Sequence, residues 1–233
     1  MICKFKDWLS IPIEFHDIII NASVKNGSDS FVDEPIGVCY HYLTSNEKKD
    51  FINHPQMNSQ LCLSSMSICT DRYRRANAKI NRRTIANNLV TKKFIQTIRG
   101  SPDNFYKNIG RFKFVVSPEG NGIDTHRLWE TIYSKGIPIV EENEDMRQKV
   151  GSLPVLWTTD YSELTLEYLE EQYKFIMEEE FDFSPLFLTK YRKEQIDNIL
   201  DRTQKWCHKF QQQNEFNDYK NSVYKAISLC KEK

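Results

Sequence analysis

Glycine and proline are scarce in this chain, eight of each among 233 residues, and no stretch of it reads as a flexible linker. It has no excess of charge of either sign: 32 basic side chains face 32 acidic ones. A generic binder of polyanions carries a basic surplus, so bulk electrostatics speaks against nucleic acid as a partner. No apolar run approaches the roughly 18 residues of a membrane span, and the opening MICKFKDWLS lacks a signal-peptide core. A soluble, cytoplasmic protein is therefore expected. No CxxC pair occurs among Cys3, Cys39, Cys62, Cys69, Cys207 and Cys230, which points to free thiols in a reducing compartment and away from zinc. Internal repeats, a Walker A sequence and a GxGxxG fingerprint are missing as well.

What remains is ordinary globular material: 39% hydrophobic and 27% charged residues, with aromatics at 12%. Such a length suits one large domain or two small ones. The segment 11–24 is β-rich, with Ile18–Ile20 bunched, and NGSDS at 26–30 reads as a turn. Residues 36–43 and 61–69 read as buried strands, with a short helix in the polar stretch between them. From about 70 the spacing predicts a helix capped by Asp71, with Tyr73, Ala76, Ile80 and Ile85 inward. Arg72, Arg75, Lys79 and Arg82 share its other face, either as a solvated surface or as a phosphate contact. Strands are expected at 112–117, 137–140 and 153–157, and a helix over 124–135 closed by Gly136 in the left-handed conformation. Asp160 and Glu163 resemble a capping box before a helix carrying Leu164, Tyr168, Leu169, Tyr173 and Ile176 on one side. Helices fill 185–231. Strands alternating with helices predict a parallel α/β sheet.

Chemistry concentrates in residues 114–140, FVVSPEGNGIDTHRLWETIYSKGIPIV. A strand runs through a glycine loop into a helix N-terminus, where unpaired amides and the helix dipole favour an anion. Gly120 and Gly122 permit close approach to the backbone. Asp124 is the expected N-cap. His126 and Arg127 then fall in the first turn, where a cation opposes the dipole by about 0.3–1 kcal/mol unless an anion offsets it. Arg127 suits bidentate phosphate binding, and Glu130, on the same face, suits the two hydroxyls of a ribose. An i,i+3 ion pair on a solvated helix, beside glycines that serve only a tight turn, accounts for the same residues.

That segment closely resembles the donor-site motif of exostosin-like glycosyltransferases: a strand, a Pro-x-Gly loop, an Arg, a Glu-bearing helix and Gly-x-Ile-Pro-Val. The continuation VGSLPVLWTTDYSELTLEYLEEQY fits too. The resemblance spans about 100–175, and Ser117–Val140 carries most of it. It implies a GT-B-like α/β glycosyltransferase with a Rossmann-like donor domain at 66–182. A short N-terminal acceptor-side α/β part would occupy 1–65, and C-terminal helices at 183–233 would pack across both. A sugar would pass from a nucleoside-diphosphate sugar to a glycan or glycoconjugate acceptor, without metal or other cofactor. Arg127 would contact the diphosphate and Glu130 the ribose, with Arg74 or Arg75 as a further phosphate contact. Glu119, Gly120, Asn121, Gly122, Asp124 and His126 would line the sugar and phosphate region.

The sequence departs from that family in lacking a membrane anchor and in its short N-terminal part. A bacterial or viral enzyme fits better, with an acceptor site that is minimal or completed by a partner chain or a second copy. Among EFHD at 14–17, Glu14, His16 and Asp17 are the candidates for a general base, with His16 and Asp17 foremost. Two rivals stand beside this reading: a non-catalytic nucleotide-sugar or glycan-binding module, and a nucleic-acid binder using RYRRANAKINRR.

Overall fold

The computed structural model describes residues 1–22 and 34–231. The expected turn at 26–30 and the last residues of the segment 11–24 lie outside them. The chain begins with β1 (Ile2–Lys4) and α1 (Phe5–Trp8), followed by a single 3-10 turn at Phe15–Asp17. Then come α2 (His41–Thr44), α3 (Lys48–Ile52), β2 (Gln60–Leu63), α4 (Arg82–Leu89) and β3 (Ile95–Gln96). The middle runs α5 (Pro102–Ile109), β4 (Phe112–Val116), α6 (His126–Tyr133), β5 (Ile137–Glu141), α7 (Glu144–Val150) and β6 (Leu156–Thr158). The chain ends with α8 (Leu166–Glu178), β7 (Glu180–Asp182), α9 (Lys193–Lys209) and α10 (Gln213–Lys231).

Five strands form one parallel sheet in the order β3-β2-β4-β5-β6. A mixed α/β fold with a parallel sheet is thus what the alternation of strands and helices predicted. β5 is buried at every position, as a strand covered on both faces must be. From β2 the chain steps outward to β3, then crosses back to β4 on the other side and continues to β6. The reversal leaves a crevice at the carboxyl ends of β2 and β4, the place where open α/β sheets bind ligands. Both Ser64–Ser65 and the loop SPEGNG leave strands at that crevice.

Of the expected N-terminal strands, 61–69 forms only at its start, as β2, while 36–43 runs into the helix α2 and the described part of 11–24 makes no strand. Ile18, Ile19 and Ile20 are fully buried in an extended segment whose backbone groups are bonded mostly by side chains, not by a neighbouring strand. Tyr133 Oη accepts from the Ile19 amide at 2.9 Å, Tyr219 Oη donates to the Ile18 carbonyl at 2.6 Å, and Thr203 donates to the Ile20 carbonyl. Only isolated bridges join Ile20 to Gly37 and Val38. Gly37 has φ +60°, and a Cβ there would lie 2.0 Å from the Ile19 carbonyl oxygen, so only glycine fits.

The divisions at 65 and 182 do not coincide with the packing. β2 belongs to the same sheet as β4, so a boundary at 65 separates a central strand from its partner. β1 pairs antiparallel with β7, Trp8 stacks on Phe183 at 4.1 Å, and one buried apolar cluster runs from Phe5 to Val223.

Several helix ends differ from expectation. The helix expected from 70 starts only at Arg82: Asn81 caps it by accepting from the amides of Arg83 and Thr84, while residues 70–80 form turns. Asp71 accepts from the Arg82 amide at 2.7 Å instead of capping a helix of its own. Tyr73 and Ala76 are consequently exposed, not inward. α6 closes with Lys135, not Gly136, in the left-handed region at φ 68°. Gly136 is needed for closeness instead, since a Cβ would meet Phe112 O and Thr131 Cγ2 at 3.1 Å. Thr165, not Asp160, caps α8, by accepting from the Tyr168 amide at 3.1 Å.

Candidate functional site

A cavity of about 1530 Å³ opens at the crevice between β2 and β4. Small-molecule sites ordinarily occupy roughly 300–1,000 Å³, so this one has room for two substrates side by side. Of the residues expected from the sequence, Gly120, Asn121, Gly122, Asp124, His126, Arg127 and Glu130 all line it. Arg82, His41, Cys39, Phe105, Tyr106, Trp206 and Phe210 join them from elements far away in the chain.

α6 points its N-terminus into this cavity. Asn81, Ser101, Asn143 and Thr165 each cap the helix they precede, whereas Thr125, the N-cap of α6, makes no side-chain cap bond and lines the cavity. The dipole end of α6 is therefore not neutralised by a cap. Asp124, expected to cap it, is held elsewhere: Oδ1 accepts from the Trp129 indole at 2.6 Å, and Oδ2 accepts from Lys149 at 2.9 Å and from the Ile36 amide at 3.3 Å.

Arg127 occupies the first turn with its side chain 23% exposed. One Nη donates to the Ser65 carbonyl, the guanidinium lies 3.7 Å from the Phe105 ring centroid, and Nε faces Glu130 Oε2 at 3.5 Å without a hydrogen bond. Burial lowers the Arg127 pKa, and Glu130 opposes that shift. Glu130 is 4% exposed; its Oε1 accepts from Tyr106 Oη at 3.0 Å and from the Cys39 amide at 3.4 Å. Around this carboxylate the Tyr106 hydroxyl is pushed well above its usual pKa and the Cys39 thiol up to about 12, in both cases first by burial and then by Glu130. Glu130 thus holds Arg127 in place, and the ion pair expected as an alternative is present, but buried in a cavity wall.

The glycine loop is shaped from behind by arginines. Arg82, 8% exposed, donates from Nε to the Glu119 carbonyl at 2.8 Å, from one Nη to the Pro118 carbonyl at 2.9 Å, and from the other to Ser67 O and Thr70 Oγ1. Its pKa is lowered by burial and by Arg127. The Gly120 amide donates to the Gly122 carbonyl at 2.9 Å, so it is turned into the loop and not toward the cavity. A Cβ on Gly120 would meet Arg82 at 3.0 Å, which is why glycine stands there.

Arg74, Arg75 and Glu119 stand behind this loop and do not line the cavity. Arg74 donates to Glu119 and to the Gly120 carbonyl. Arg75 is buried against Glu141 at 2.9 Å, with Asp71 and Glu119 within 4.0 Å. Their charge is matched by carboxylates, and of the arginines behind the loop it is Arg82, not Arg74 or Arg75, that reaches the cavity wall. The common basic face of residues 72–82 does not exist: Arg75 and Arg82 turn inward while Arg72 and Lys79 are exposed.

His126 donates from Nδ1–H to the Gly37 carbonyl at 2.9 Å, and its ring stacks on Trp206 at 5.3 Å. His41 is half-buried in the cavity wall; burial lowers its pKa, with Glu130 acting against the shift. The expected bases lie elsewhere. His16 and Asp17, 3.8 Å apart, line a separate cavity of about 530 Å³ beside Thr189 and Lys190, and Asp17 accepts from Thr189. Among the described residues no three His, Cys, Asp or Glu side chains converge as a metal would require, and no helix is long and apolar enough to cross a membrane.

The residues that sequence reasoning missed carry faint signals. Ser64–Ser65 follow an apolar run, as residues at the carboxyl end of a strand do. Trp206 and Phe210 stand four apart on a helix, a spacing that core positions share. No protein-family model matches the chain, and no curated protein matches it.

Proposed function

We propose that this protein is a GT-B-like glycosyltransferase that transfers a sugar from a nucleoside-diphosphate sugar to a glycan or glycoconjugate acceptor. The observation that carries this reading is the uncapped N-terminus of α6 at the reversal point of the sheet, with Arg127 in its first turn and Arg82 beside it. Backbone amides, a helix dipole and the Arg127 guanidinium would converge on a diphosphate, with the Arg82 charge close behind the loop, and they would stabilise it as a leaving group without a divalent cation. In the reaction the bond from the anomeric carbon to the diphosphate oxygen breaks, and one to the acceptor hydroxyl oxygen forms. The hydroxyl proton passes to a base. His41 serves that role better than His16 or Asp17, since it lines the cavity and its lowered pKa keeps the ring neutral near pH 7. A ribose hydroxyl would approach Glu130 at Oε2, the oxygen it turns toward Arg127.

Release of nucleoside diphosphate from a panel of UDP-, GDP-, CDP- and dTDP-sugars, in EDTA, tests the reading. Turnover of one donor that falls at least 100-fold in Arg127→Gln supports it. Tight donor binding with no turnover under any acceptor would favour the non-catalytic binding module. A folded protein that neither binds nor turns over any donor would sink both.

A further inference from the structure

One wall of the cavity is a ladder of rings to which the transfer reaction assigns nothing. His126, the first residue of α6, stacks on Trp206 at 5.3 Å and 14° between planes. Trp206 meets Tyr40 edge-on at 4.5 Å, and Tyr40 stacks on Phe210 at 4.6 Å and 15°. Tyr40 is 7% exposed, but Phe210 is 43% exposed and lines the cavity. Phe210 is therefore a flat ring fixed from behind by a buried one. The ladder begins at the anion-binding helix end and finishes at this ring, so charge recognition and an aromatic surface sit a few ring contacts apart in one cavity. A nucleoside diphosphate has this layout, with a diphosphate at one end, a flat π-system at the other, and a ribose between. We propose that Phe210, backed by Tyr40, is the platform on which the nucleobase of the donor stacks while the diphosphate lies at Arg127.

This inference rests on the nucleotide reading of the α6 site, and the experiment separates the two. Inorganic pyrophosphate, ADP, GDP and UDP are titrated calorimetrically, in EDTA, into the wild-type protein, Phe210→Ala and Phe210→Trp. An exposed ring at a helix end can be removed without unfolding the chain, and circular dichroism checks this. The expected result is that at least one nucleoside diphosphate binds more tightly than pyrophosphate. Phe210→Ala should weaken that nucleotide by roughly tenfold or more, leave pyrophosphate within about twofold, and be reversed by Phe210→Trp. A nucleotide whose affinity survives Phe210→Ala overturns the platform and leaves the anion site standing. Equal loss of pyrophosphate and nucleotide overturns it as well, because the ring would then act on the anion site and not on a base. Binding of none of these probes by the folded wild type overturns both the platform and the nucleotide reading.

Discussion

Arg82 is the side chain on which the shape of the glycine loop depends. Its guanidinium bonds the carbonyls of Pro118, Glu119 and Ser67, and its own amide is held by Asp71. Arg82→Ala takes a donor from three carbonyl groups, leaving Glu119 O with only Arg75 at 3.5 Å and Ser67 O with only Thr70, and opens a hole beneath Gly120. We expect a loss of about 3 kcal/mol in stability, read as a lower urea midpoint, together with loss of nucleotide binding. An Arg82→Ala protein as stable as wild type would show that the loop keeps its shape unaided. At this scale the sequence was a fair guide to residue type and a poor one to destination. Arg127, Glu130, Gly120, Asn121 and Gly122 line one cavity, whereas Glu119 of the same loop stands behind it. Arg75 and Arg82 look alike on a helical wheel, yet one is matched by Glu141 and the other by carbonyls, because no single helix carries both: Arg75 lies among turns and Arg82 opens α4. Partners up to 66 positions away decide that, and spacing does not encode them.

The helix α6 carries the anion-binding argument at the level of the element. Thr125 already has the extended backbone of an N-cap, at φ −128° and ψ 141°, but leaves its helix uncapped by a side chain. Thr125→Asp should supply the missing cap and stabilise the protein by about 1 kcal/mol, visible as a rise in Tm. The same carboxylate would occupy the anion's place, so pyrophosphate affinity should fall about tenfold or more in a titration. A rise in both stability and affinity would contradict an anion site at this helix end. Elements with strong period and good punctuation were legible: β4, β5, the short helix near 48–52 and α6 fall close to where the pattern puts them. The stretch 70–80 was not: Asp71 takes the Arg82 amide and Asn81 those of Arg83 and Thr84, so these side chains close the start of α4 and the residues before it stay in turns. The isoleucines at 18–20 were legible as buried and extended. Their bonding to tyrosine and threonine hydroxyls on distant helices was not.

Across the whole molecule, the N-terminal segment is held to the sheet through a buried amine. Lys135 is fully buried, donates to the Ile11 carbonyl at 2.8 Å and lies 3.3 Å from the Trp8 ring centroid. Burial brings its pKa from 10.5 down to about 7. Between about pH 7 and 10.5 the unfolded chain keeps this proton and the folded chain does not. The Lys135 contribution to stability then rises with pH in that window, by about 1 kcal/mol per pH unit, so the wild type must gain on Lys135→Met as pH rises. Urea midpoints of the two proteins at pH 6.5, 8 and 9.5 check this, and parallel curves would refute it. The sheet order and its reversal between β2 and β4 were invisible in the sequence, since nothing local says which strand lies beside which, yet they put the glycine loop at the crevice that open α/β sheets use for ligands. The central claim is that this reversal point is an anion site built from the α6 N-terminus and Arg127. Titration of nucleoside diphosphates in EDTA into wild-type protein and Arg127→Gln tests it most directly. The account predicts saturable 1:1 binding that Arg127→Gln weakens at least tenfold while the fold is retained. Unchanged affinity in Arg127→Gln, or no binding by the folded wild type, would contradict it.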